Sequence, residues 1–182
     1  MKTASSAWTL LFLAAAAAEA QEPPKKEALE ATVVSIKGTV DVKRPEDKDW
    51  VPAEKDMKLK QGSSICTSVA SSATLMLTGN LKVTVKSLTE AKVEDLAKGD
   101  GAVNADVNLK FGSIEVDIQK GDLRTDMKVR SPNSTTSVSG STGIVRSFAS
   151  DKGSALLSLK TFSGTWTFTP NSLGMEIPIE GA

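Results

Sequence analysis

The chain has 182 residues, with 22 Lys and Arg balanced by 22 Asp and Glu, no His, one Cys and no Tyr. Balanced charges spread singly argue against a nucleic-acid binder, which gathers Lys and Arg on one face. Without His, Ser-His-Asp and Cys-His nucleophiles are excluded, and a zinc site would need carboxylates and the one thiol.

In chain order, residues 1–20 read as a cleaved secretory signal. Lys2 supplies the positive start, Trp8–Ala18 the apolar run and Ala18-Glu19-Ala20 the small-x-small cleavage site. The run is too short to span a bilayer, no Cys near Ala20 offers an acylation site, and no later run of eighteen apolar residues follows. The expectation is an exported chain, periplasmic or extracellular, with no membrane span after cleavage. Residues 21–30 form a short polar leader with two prolines.

From Ala31 the hydrophobic period is two. In "VSIKGTVDV", Val34, Ile36, Val40 and Val42 are expected on one side. The alternation returns at Ala73, Leu75 and Leu77, at Leu81, Val83 and Val85, and at Ile114, Val116 and Ile118. It continues through Met127 and Val129, then Ala155, Leu157 and Leu159, and finally Trp166 and Phe168. Each segment reads as a half-buried strand of about five residues. A Gly-x-apolar-x-apolar pattern begins at Gly38, Gly79, Gly112 and Gly164, suggesting short strands stacked through similar tight turns. Hairpin proteins also place Gly before strands. Ser87–Leu96 has some helical character, although Ala91 and Val93 also fit a strand. The predicted fold class is all-β: a β-solenoid-like stack or an irregular β-sandwich.

Ser131–Arg146 ("SPNSTTSVSGSTGIVR") carries eight Ser or Thr in sixteen residues and resembles a linker by composition. Thr136 and Val138 nevertheless continue the alternation around a Pro-Asn turn, and "TGIV" resumes apolar character at Ile144. Thr is also favourable in strands. This stretch is therefore placed inside the fold, as closing turns and strands.

The candidate chemistry is sparse. Cys66, in "SSICTS", lacks CxxC spacing and a neighbouring base, so it reads as an inert strand cysteine. Glu115 and Asp117 share a strand face about 6–7 Å apart, a spacing that would suit paired acids in glycoside hydrolysis; solvated strand faces show the same pattern. The acidic turns at Arg44–Asp49 and Asp95–Gly101 do not match a calcium loop. "GSTG" lacks the Lys of a phosphate-cradling loop, and Asn133 heads a glycosylation sequon. No cofactor and no metal are expected. Trp50 and Trp166 are the two candidate rings for a carbohydrate platform, with a structural cap as the alternative for Trp50.

In order and spacing, these segments resemble the periplasmic domain of the FecR family. The resemblance runs from "GTVDV" through Trp50, Pro52-Ala53, Leu59, Gly62 and "ICT" to "SSATLML" and "VTVKSLTEAKVEDL". It continues with "LKFGSIEVDI" and "MKVRSPNSTTSVSGSTGIV". It covers residues 31–145, and residues 146–182 are expected to add strands to the same domain. Val138-Ser139-Gly140-Ser141 stands where the family pattern has Val-Arg-Gly-Thr, so Ser139 replaces its Arg; Arg146 is the nearest candidate to compensate. Family members that control iron uptake are similar to single-pass proteins with a cytoplasmic anti-sigma segment, which this sequence is expected to lack. The resemblance implies a non-enzymatic module that binds a protein or another envelope component. Trp50, Trp166, Ser139 and Arg146 are its candidate interaction or structural positions. A carbohydrate-binding or adhesin-like module, and a glycosidase using Glu115 and Asp117, are the alternatives.

Overall fold

The computed structural model describes residues 26–99, 101–149 and 155–180, and every regular element among them is a strand. The expected signal peptide and most of the leader lie outside the described residues. The chain opens with β1 (Glu27–Ala28), β2 (Ala31–Lys37), β3 (Val40–Lys43), β4 (Val51–Pro52), β5 (Lys58–Leu59) and β6 (Ser64–Thr67). The middle comprises β7 (Ser72–Thr78), β8 (Leu81–Val85), β9 (Thr89–Gly99), β10 (Ala102–Ile118) and β11 (Arg124–Ser131). It closes with β12 (Ser134–Ser139), β13 (Thr142–Ala149), β14 (Ala155–Thr161), β15 (Thr165–Pro170) and β16 (Ile177–Glu180).

Pairing sorts the strands into two joined sheets. Sheet A runs β4-β3-β6-β9-β10-β11-β12-β15-β16, with β1 against the end of β9. Sheet B runs β5-β2-β7-β8-β10-β13-β14. Among the described pairs β10–β11 alone is parallel. One face of each strand is buried, giving alternations such as that of β7, where Ala73, Leu75 and Leu77 are buried between half-exposed neighbours. Those faces form a single core that includes Val33, Leu81, Leu109, Ile114, Val116 and Trp166. A fully buried aliphatic chain of this kind contributes about 1.5–3 kcal/mol.

β10 joins the sheets. Its first part pairs with β9 and β11 in sheet A, and Gly112–Ile118 lies between β8 and β13 in sheet B. Gly112 was expected to open a strand after a turn. Instead it is a corner within one continuous strand, with φ +99° and the backbone of the β8–β9 connection against it. A Cβ there would lie 2.5 Å from the Thr89 Cα and 2.6 Å from the Leu88 carbonyl oxygen, so only Gly fits. The Thr89 hydroxyl accepts from the Ser113 N–H (2.9 Å) and donates to the Ser87 carbonyl (3.1 Å), fixing the bend.

Two other expectations change. In β2 the buried residues are Ala31 and Val33, while Val34 is half-buried, because a bulge between Val33 and Ser35 shifts the register against β7. Ser87–Leu96 is not helical: β9 buries Thr89, Ala91 and Val93, so the period of two prevails.

Ser131–Arg146 is folded, as expected. Pro132-Asn133 is the two-residue turn of the β11–β12 hairpin, and the chain then passes from β12 in sheet A to β13 in sheet B. Its hydroxyls serve the interior: Ser131, Ser134, Thr136 and Ser141 are buried, and Ser131 Oγ meets Ser134 Oγ at 2.8 Å.

Candidate interaction surface

The outward face of sheet A is built by the alternation that buries Met127, Val129 and Val138. Every second residue of β11 is therefore turned to solvent: Arg124, Asp126, Lys128 and Arg130. The register sets Asp126 opposite Ser139 and Asn104, and Lys128 opposite Ser137 and Asp106. Thr167 stands beside Ser137 on β15. Across these strands lies an open groove of about 720 Å³, lined by Asn104, Arg124, Asp126, Lys128, Ser139 and Thr167 among others. A smaller hollow of about 200 Å³ continues it past Asp106 and Arg130.

Charges on this face are largely paired. Arg124 Nε lies 3.0 Å from Asp126, Lys92 Nζ 2.9 Å from Glu94, and Lys110 Nζ 3.1 Å from Glu90. The strongest pair is Arg130–Asp106, in which Arg130 Nε donates at 3.0 and 2.8 Å to the two carboxylate oxygens. The Asp106 side chain is only 12% exposed. That hydrogen bond, with the charge behind it, raises the Arg130 pKa above its ordinary value. Removing one partner of such a pair strands a buried charge, whereas the exposed pairs contribute little. Sequence reasoning missed this pair. The alternating charges of "RTDMKVR" were a signal for the face, but only the parallel β10–β11 register brings Arg130 within reach of Asp106.

The candidate residues fall in different places. Ser139 is exposed at the end of β12 and lines the groove. Arg146 is half-buried on β13 of sheet B, opposite Ser113 and Ser158, so it does not replace an Arg at position 139. Trp50, beside β4, is 40% exposed, but Trp166 is 0% exposed. The Trp166 indole N–H donates to Ser141 Oγ at 2.7 Å, and Ser141 in turn donates to the Ser163 carbonyl. The two rings therefore form no shared platform.

Glu115 is salt-bridged to Lys86, and Asp117 accepts from the Thr142 hydroxyl at 3.0 Å. Neither carboxylate lines the sheet A groove or the hollow beside it. Cys66 is a free, half-buried thiol on β6. Burial pushes its pKa up, Glu90 and Asp41 add to the effect, and Lys110 opposes it, so the thiol is held protonated. Among the described residues no group of three acids or thiols is placed to hold a metal.

Two joined sheets, a face of paired charges and an open polar groove define an all-β binding domain. A model of the family described as FecR protein matches residues 63–165, more than half of the chain. The chain belongs to the FecR family, a non-catalytic, envelope-associated class of interaction domain. The match begins at Ser63 and reaches Thr165 in β15, beyond the Val145 limit of the resemblance read from the sequence. No curated protein matches the chain. Two crystal structures of a proposed anti-sigma factor from Parabacteroides distasonis ATCC 8503, at 1.65 and 2.50 Å, are similar in part. Each is 10% identical with a TM-score of 0.43, covering 65% of this chain and 59% of that one. This chain thus spans less than two thirds of that protein's length.

Proposed function

We infer that the protein is an exported binding module that holds a protein of the cell envelope against the outer face of sheet A. The observation that carries this reading is the open groove across β10, β11, β12 and β15. It has Arg124 and Lys128 on one strand and a row of hydroxyls on the next two. Lys128, with the Arg124–Asp126 pair and the hydroxyl and amide groups beside it, suits an extended polar segment bearing an acidic side chain. Ser139 contributes its small size: where the family pattern has Arg, this chain leaves the end of the groove open.

The terminal strand is a poorer docking edge. Pro178 sits in β16 opposite Thr167, and a proline is tolerated there only where its missing N–H would face the open side. The available edge therefore lacks a donor in its middle.

The test is charge reversal. Arg124→Glu combined with Lys128→Glu is expected to weaken retention of the envelope partner at least about tenfold, by loss of desolvated charge contacts. Lys82→Glu on the outer face of sheet B should leave it unchanged. Equal loss from both variants would contradict the assignment of the site to sheet A.

A further inference from the structure

Three cations stand on the outward face of β11, and two of them have partners. Arg124 is paired with Asp126 and Arg130 with Asp106, while among the described residues no hydrogen bond or ion pair holds Lys128. The register alone would pair the charges differently. In the parallel β10–β11 pair Lys128 stands directly beside Asp106, and Arg130 stands beside Asn108. Arg130 nevertheless reaches back and gives Nε to both Asp106 oxygens, at 3.0 and 2.8 Å, with Nη2 on the second. A guanidinium presents a planar fork of donors to a carboxylate, whereas an ammonium is a compact, strongly hydrated charge. Arg130 therefore holds the half-enclosed position.

The Asp106 side chain is 12% exposed, and an uncompensated carboxylate is strongly unfavourable at that depth. Arg130 thus decides where Lys128 goes. With both Asp106 oxygens occupied, the ammonium is left to the groove and the adjoining hollow, both of which it lines, with Asn104 nearby and Ser137 opposite. Asp126 is likewise committed to Arg124. Asp95 of β9, also in the hollow, is in register with Asp106, two strands or about 9–10 Å from Lys128. The groove therefore offers one unpaired positive charge among hydroxyl and amide groups, with two acids close by. A single carboxylate matches that balance; a phosphate dianion would be repelled by Asp106 and Asp126.

We propose that the Arg130–Asp106 pair is the positioning device of the groove: by filling both Asp106 oxygens it keeps the Lys128 ammonium free to take a side-chain carboxylate of the bound segment. This rests on the reading that the sheet A groove holds an envelope protein. It adds which cation makes the contact and what keeps that cation available. Arg130 and Asp106 act through Lys128 and need not touch the segment. Without Arg130, Asp106 would draw in its in-register neighbour, and the groove would lose its one unpaired positive charge although Lys128 is still present.

The experiment is reductive methylation of the full chain with formaldehyde and dimethylamine–borane, following Lys128 by peptide mass spectrometry against Lys82 on the outer face of sheet B. In Arg130→Met, Asp106 captures Lys128, so methylation at 128 is expected to slow at least about threefold relative to 82. Loss of structure would instead speed it. Asp106→Asn combined with Arg130→Met removes the capturing charge and should restore the wild-type rate. Arg130→Lys should fall between, and it carries the comparison if Arg130→Met does not fold, since one ammonium leaves an Asp106 oxygen open. Retention of the envelope protein from extract should follow the same order. It should fall about tenfold with Lys128→Met and with Arg130→Met, and largely return in the Asp106→Asn/Arg130→Met chain. Unchanged methylation at 128 in both Arg130 variants would overturn the proposal and leave the groove standing. So would full retention by Lys128→Met while Arg124→Glu/Lys128→Glu still loses the partner. The expected methylation pattern with no envelope protein retained by the wild-type chain would remove the groove reading, and the recognition role of Lys128 with it.

Discussion

Trp166 shows what the serine-rich stretch is for. Its ring lies over Gly143: a Cβ there would stand 2.5 Å from Trp166 Cζ2 and 2.9 Å from the Lys160 carbonyl oxygen. Ser141, two residues earlier, takes the indole N–H. Small and hydroxylic residues are thus the complement of the one large aromatic in the core. Gly143→Ala is expected to cost about 1–3 kcal/mol by overpacking, read as a lower urea midpoint with an unchanged slope. Cys66 adds a pH dependence. Its raised pKa means that, above the ordinary thiol value of about 8.5, the unfolded chain loses the proton while the native chain keeps it. Stability from this group is therefore present below that value and declines as pH rises through the window. Urea midpoints of wild type and Cys66→Ser, compared from pH 8 to pH 10, should show a steeper decline in the wild type. Parallel curves would remove the thiol from the account.

At the scale of the element, the decisive feature is the corner in β10. Gly112→Ala combines an unfavourable φ with overlap against the backbone of Leu88 and Thr89, and is expected to cost at least about 2 kcal/mol. Gly101 also has positive φ (+77°) but has nothing within 4 Å of a Cβ, so Gly101→Ala isolates the backbone penalty alone. Equal melting temperatures for the two variants would mean that close approach at Gly112 does not matter. The same corner marks what the sequence could and could not disclose. Alternation identified β7, β8, β11 and the second half of β10, because in each the apolar set faces one core without interruption. It misplaced Val34 in β2, where the bulge lets Val33 face inward before it and Ile36 pack against the core after it; a bulge leaves no mark in composition. It also could not say that Gly112 bends a strand instead of ending one. That depends on Thr89 and Leu88, more than twenty residues earlier in the chain.

For the whole molecule, the two sheets are linked through β10 and again through the passage from β12 to β13. The last strands are divided between the sheets, β14 in B and β15–β16 in A. The groove lies on the outer face of sheet A, across β10, β11, β12 and β15. The face was partly legible: the charges of β11 alternate plainly with its core residues. The groove was not, since it depends on the order β10-β11-β12-β15, and only pairing fixes that order. Ser139 was singled out for the Arg it replaces, and it does line the groove. Trp166 was singled out as a candidate platform ring or structural position, and it is central to the core.

The most direct test of the account is affinity enrichment from envelope extract with the exported chain as bait, run in parallel with the Arg124→Glu/Lys128→Glu variant. The account predicts that one envelope protein is enriched by the wild-type chain, survives excess soluble polysaccharide and is lost with the variant. Retention of polysaccharide alone, or of the same protein by both baits, would contradict it.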